Sequence, residues 1–146
     1  MRIQVTGLSA LRAEIQKTSQ AVEQSNVIIL NRISEETIKR ARRGFQESPP
    51  SGAVYTRYNP YRIHTASAPS GNAYPRKDTN ELSRSLRFTP ATRAQLYSSV
   101  GTNLPYGEDL ELGTNKMMPR PWLGRSYRSA VRTVAKEIRN IYKRQK

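Results

Sequence analysis

The chain is predicted to be one α+β domain spanning residues 1–146. A long N-terminal helix and a C-terminal helix pack on a small, mainly antiparallel sheet, with an extended Pro/Tyr-rich arm. Three observations predict this. Apolar residues recur at helical spacing over 8–46 and again over 122–143. Between them, 86–88 and 96–100 alternate as short strands do. The stretch 47–80 holds five of the nine prolines and four of the eight tyrosines, but only Val54 and Ile63 as large aliphatics. So little core material predicts a loop or hairpin arm.

Ile3-Gln4-Val5 alternates and stops at Gly7, which predicts a short first strand. Ser9 is a candidate cap for the helix that follows. Leu8, Leu11 and Ile15 keep helical spacing, Thr18-Ser19-Gln20 weakens it, and Val22, Ile29, Ile33, Ile38, Ala41 and Phe45 resume it. One long helix with a weak point, or two consecutive helices, fits this pattern. Lys39, Arg40, Arg42 and Arg43 gather near its end, where cations suit the helix dipole. In the arm, Tyr55-Thr56-Arg57-Tyr58 is expected to face Arg62-Ile63-His64-Thr65 as an open hairpin.

Asp78 or Thr79 is expected to cap a short helix that turns Leu82 inward, with Ser85-Leu86 leading into a strand. Leu86-Arg87-Phe88 and Leu96–Val100 then form an antiparallel pair joined near Pro90 and Arg93. Gly101-Thr102-Asn103 closes the second strand with residues that tolerate positive φ. Tyr106 to Leu112 reads as a short helix stopped by Gly113. Its Glu108, Asp109 and Glu111 form an exposed acidic patch. The second Gly-Thr-Asn, at 113–115, is expected to be a similar turn. Pro119 and Pro121 impose an extended approach to Trp122, where the last helix opens.

That helix carries two series. Leu123, Tyr127, Ala130, Val131, Val134, Ile138 and Ile141 make an apolar face expected to dock on the sheet and the N-terminal helix. Arg125, Arg128, Arg132, Lys136, Arg139 and Lys143 recur three or four apart on the opposite face. Residues 115–146 hold ten Lys/Arg against one acidic residue, Glu137, so this segment supplies +9 of the net +14. Such a stripe meets water, nucleic acid or an acidic neighbour.

Several function classes are excluded or disfavoured. With no cysteine, disulfides and thiolate metal sites are impossible. The longest purely apolar run is Val27-Ile28-Ile29-Leu30, too short to span a bilayer, and no secretory leader is expected after Met1-Arg2. The sole histidine, His64, lies in the arm with no carboxylate close in sequence. Glu108, Asp109 and Glu111 fit no calcium-loop spacing, and no phosphate loop is present. Neither cofactor nor metal is expected. Trp122 reads as a core or hinge anchor, with an intersubunit anchor as the alternative. Tyr55, Tyr58 and Tyr61 with Arg57 and Arg62 suit a protein contact, with base stacking as the competing reading.

Two motifs carry a family resemblance. Over Val100–Trp122, Tyr106 precedes Leu110-Glu111-Leu112-Gly113-Thr114, and Met118-Pro119-Arg120-Pro121-Trp122-Leu123 opens the last helix. Upstream, Asp78-Thr79-Asn80-Glu81-Leu82-Ser83-Arg84-Ser85-Leu86 is similar to an Asp-Thr-Gly-x-Leu-x-x-Ser-aliphatic signature, with Asn80 in the place of Gly. In these stretches the chain resembles the neck and tail-completion (head-tail joining) proteins of long-tailed bacteriophages. A Tyr-Arg-rich stretch before a small-residue turn, here Ser67-Ala68-Pro69, is a further shared feature.

The resemblance covers most of the chain after about residue 50 and implies a structural virion protein, made in the host cytoplasm, without enzymatic activity. It implies a homo-oligomeric ring, a hexamer, at the head-tail connection. Its partners would be other junction and tail proteins, with nonspecific contact to DNA in the channel and none to a membrane. Expected contact residues are Tyr55, Arg57, Tyr58, Tyr61, Arg62, Glu108, Asp109, Glu111, Trp122, Arg125, Arg128, Arg132, Lys136 and Arg139. Two other classes compete. A small basic toxin-type ribonuclease works with Arg, Lys and Tyr alone, and a DNA-binding accessory module needs only the charge.

Overall fold

Two long helices build the body of this α+β protein. A computed structural model describes residues 8–58, 60–67 and 73–144, so the expected strand at Ile3–Val5 and most of the Ser67-Ala68-Pro69 turn lie outside the described residues. Helix α1 (Leu8–Glu47) runs without a break. At about 1.5 Å per residue it is roughly 60 Å long. Thr18 does not interrupt it, because its hydroxyl donates to the Glu14 carbonyl one turn back, at 2.9 Å. The helix also outlasts the basic cluster at 39–43. Its final turn holds no cation, and Arg43 instead pairs with Glu47 at 2.8 Å.

Helix α4 (Leu123–Arg144) lies antiparallel to α1. Arg40 donates to Ser129 Oγ at 2.8 Å and Thr133 Oγ1 at 2.7 Å, while Arg32, two turns earlier, meets Glu137 at 3.7 Å. The buried face of α4 is Ser126, Ala130 and Val134; that of α1 is Ser34, Thr37, Ile38, Ala41 and Phe45. Small residues on both faces allow close approach. The apolar side of α4 therefore packs on α1, not on a sheet, with Tyr127 exposed at the edge of that face and Ile141 exposed on it near the C-terminal end of the helix.

Among the described residues the β strands form two separate antiparallel pairs. Strands β1 (Val54–Tyr58) and β2 (Tyr61–Thr65) form the hairpin expected of the arm, with Tyr55 opposite His64 and Tyr58 opposite Tyr61. Strands β3 (Arg87–Thr89) and β4 (Ser99–Gly101) pair Phe88 with Val100. The second strand is shorter than expected, since Leu96 and Tyr97 precede it and are exposed. This pair is clasped by α1. The Asn31 side chain accepts the Ala91 N–H at 2.7 Å and donates to the Ala91 carbonyl at 3.2 Å; Ser34 and Ser98 hydroxyls meet at 2.7 Å.

Helix α2 (Glu81–Ser85) follows Asn80, whose φ of 70° is left-handed, a conformation that the Gly it replaces in the signature and Asn both tolerate. Neither Asp78 nor Thr79 caps it; its N-cap is Asn80, without a side-chain bond. Helix α3 (Pro105–Leu112) ends at Gly113, at φ 79°. Asn80 and Gly113 are the positive-φ positions among the described residues, so Gly101-Thr102-Asn103 turns without positive φ. The two Gly-Thr-Asn turns are thus different structures.

Ile38, Ala41, Phe45, Leu82, Leu86 and Trp122 make the central cluster. The Phe45 ring stands edge-on to Trp122 at 5.5 Å and to Tyr74 at 6.4 Å. Tyr74 is a correction to the arm. Its ring occupies the space a side chain at Gly44 would need, Ser48 donates to its carbonyl at 2.5 Å, and Lys77 N–H bonds the Phe45 carbonyl at 3.1 Å. Within 47–80, then, the hairpin at 54–65 projects while 73–78 is sewn onto the body.

Candidate functional site

The residues named from the sequence divide into three groups. Trp122 and Glu111 belong to the interior framework. Trp122 is buried, and its indole N–H donates to the Gly107 carbonyl at 3.0 Å. Gly107 is required there, because a Cβ would strike the Thr102 side chain at 2.5 Å. Glu111 is not part of an exposed patch. Its carboxylate accepts the N–H groups of Trp122, Leu123 and Gly124 at 2.5, 2.7 and 2.9 Å, capping α4 from the end of α3. Trp122 is consequently a core anchor and no surface for a neighbour. Glu108 and Asp109 remain exposed.

The second group is the cationic stripe. Arg128, Arg132, Lys136, Arg139 and Lys143 are exposed on the face of α4 opposite Ser126, Ala130 and Val134. Glu137, the one acidic residue of the segment 115–146, pairs with Arg32 of α1. Arg125 differs from its neighbours. It is half-buried, and its guanidinium lies 4.8 Å from the centre of the Tyr74 ring, a cation–π contact that ties α4 to the base of the arm.

The third group is the hairpin, whose two faces differ in chemistry. Alternation puts Tyr55 and Arg57 with their partners His64 and Arg62 on one face. Val54, Thr56 and Tyr58 with Thr65, Ile63 and Tyr61 occupy the other. Asp78 gathers the first face. Its carboxylate lies 3.1 Å from Arg62, 3.6 Å from Arg57 and 3.8 Å from His64 Nδ1. His64 therefore does have a carboxylate beside it, brought from a distance in sequence. Burial pushes its pKa below the usual histidine value; Asp78 opposes that shift, and Arg76, Arg57 and Arg62 add to it. Arg57 and Arg62 are in this way engaged within the subunit. The other face is bare: Tyr58 is 81% exposed, and Tyr61, Ile63 and Val54 are nearly as open. The Tyr58 and Tyr61 rings sit 6.1 Å apart.

The two motif-bearing stretches also meet. Ser85 and Thr102 hydroxyls are 2.5 Å apart, and Leu82 lies beside Gly107. Sequence reading missed Asp78 as the anchor of the hairpin, although it is the sole carboxylate between residues 48 and 80. It also missed Tyr74 and Arg120. Among the described residues no group of His, Asp and Glu is arranged to hold a metal, and no helix is long and apolar enough to cross a membrane. No protein-family model, curated protein or solved structure matches the chain significantly.

Proposed function

We propose that the chain is a structural protein of the head-tail connection of a tailed phage, assembling as a homo-oligomeric ring with junction and tail proteins around the DNA path. One observation carries this reading beyond the resemblance. The hairpin is anchored through its charged face and leaves an aromatic and aliphatic face in water, which a chain acting alone has no use for. The exposed stripe of α4 supplies a second surface of opposite character, fit for acidic protein or for DNA.

Light scattering and negative-stain electron microscopy of the purified chain, alone and mixed with the products of its neighbouring genes, test this. Rings, or stable complexes with head or tail proteins, are expected. A monomer that binds none of them contradicts the reading. A rival has one specific support, since His64, Asp78, Arg57 and Arg62 meet at the hairpin base in a manner compatible with a basic ribonuclease. Cleavage of RNA by the purified chain, lost in His64→Ala and Arg62→Ala, would establish that rival instead.

A further inference from the structure

Between the hairpin, residues 75–82, α3 and the 117–120 segment lies a cleft of about 760 Å³. Among the described residues, three of its lining side chains carry buried polar atoms that have no hydrogen-bond partner: Arg62 Nε, Ser67 Oγ and Asn80 Oδ1. Ser67 is fully buried. Arg120, only 7% exposed, also lines the cleft; its Nε donates to the Ser67 carbonyl at 3.0 Å, and it pairs with no carboxylate among the described residues. Buried polar groups left unpaired are costly, and a buried guanidinium without an anion more so. Their concentration in one cleft of ligand size marks a binding site.

We infer that this cleft takes a carboxylate presented on an extended polypeptide segment. Arg62 Nε, Ser67 Oγ and the Arg120 guanidinium are donors of the kind an oxyanion takes, and Asn80 Oδ1 is an acceptor for an N–H. A peptide bearing Asp, Glu or a free C-terminus supplies both. Arg57, Arg62, Arg76, Lys77 and Arg120 outnumber Asp78, Glu81 and Asp109 in the same wall, a small excess that suits one carboxylate better than the repeated charges of nucleic acid. The site stands apart from the α4 stripe. It rests on the proposed assembly only for the origin of the peptide, which would be a neighbouring chain of the junction.

Titration of the full-length, isotopically labelled chain tests it by NMR. The probes are acetyl-glutamate methylamide, inorganic phosphate and a short DNA duplex. The peptide mimic should give saturable shifts in the backbone amides of Ser67, Asn80 and Arg120. Ser67→Ala and Arg62→Lys should weaken it roughly tenfold while the remaining spectrum stays native. Ser67→Ala is the safer variant, since that hydroxyl bonds nothing among the described residues. Absence of saturable shifts, unchanged affinity in both variants, or binding of phosphate or duplex to the cleft as tightly as the mimic overturns the inference. Ring formation plays no part in this measurement, so failure of assembly and failure of the site are told apart.

Discussion

The carboxylate of Glu111 caps the helix that Trp122 opens, accepting the Trp122 N–H at 2.5 Å. Two further N–H groups of the first turn bond the same side chain. The donors at a helix start have no partner in the helix itself, and here the preceding helix supplies one from eleven residues away. Glu111→Ala should destabilise the fold by about 1–3 kcal/mol. The midpoint of urea unfolding, at unchanged slope, measures this. A shift no larger than that of Glu108→Ala would show that the cap contributes nothing.

Trp122 is the only tryptophan and lies inside the subunit. Its emission should be blue-shifted and protected from iodide, and should not change on assembly. Trp122→Ala should cost about 3–5 kcal/mol. A red-shifted spectrum, or emission that moves when partners bind, would place the indole at a contact instead.

Reversal of Arg128 and Arg132 to Glu should leave the unfolding midpoint within about 0.5 kcal/mol of the parent, because both side chains are exposed. Association with partners should weaken, and most at low ionic strength. Equal affinity for parent and variant in dilute buffer would reduce the stripe to a solvated face.

Tyr58→Ser combined with Tyr61→Ser should also spare the fold, since neither ring is buried. Loss of assembly with retained circular dichroism is the expected result. Normal incorporation into infectious particles would remove the hairpin from the contact surface. A wholesale deletion of 52–75 is a poorer test, because it strips Tyr74 from the core cluster and Ser67 from beneath Arg120.

His64 should titrate below the ordinary value of about 6.5. A depressed pKa means that the folded chain holds the neutral ring better than the unfolded chain does. The resulting stability is complete above about pH 6.5 and is lost as pH falls from there toward the folded value. Asp78 is the group that favours the charged ring, so Asp78→Asn should lower the pKa further. Imidazole carbon shifts followed against pH decide it; an inflection above 6.5, or a rise in the variant, contradicts the arrangement.

What was legible in the sequence is what depends on short-range pattern. The periodicity of α1 and α4, the positive φ at Asn80, the stop at Gly113 and the existence of the hairpin, though not its register, each follow from residues within a turn or two. What escaped depends on partners distant in sequence. Glu111 looked like a surface acid because its neighbours Glu108 and Asp109 are surface acids; only folding brings the α4 start to it. Asp78 looked like a cap because it precedes a short helix, yet three groups of the hairpin outcompete that role. The cleft was invisible for the same reason, since Arg62, Ser67, Asn80 and Arg120 come from separate parts of the chain.

The antiparallel pairing of α1 with α4 has a consequence for synthesis. Arg40 finds Ser129 and Thr133 only 89 and 93 residues later. At the roughly 5–20 residues per second of translation, the face containing Ile38, Ala41 and Phe45 waits several seconds on the ribosome before its cover emerges. Closure of the interior is thus a late event in the making of the chain.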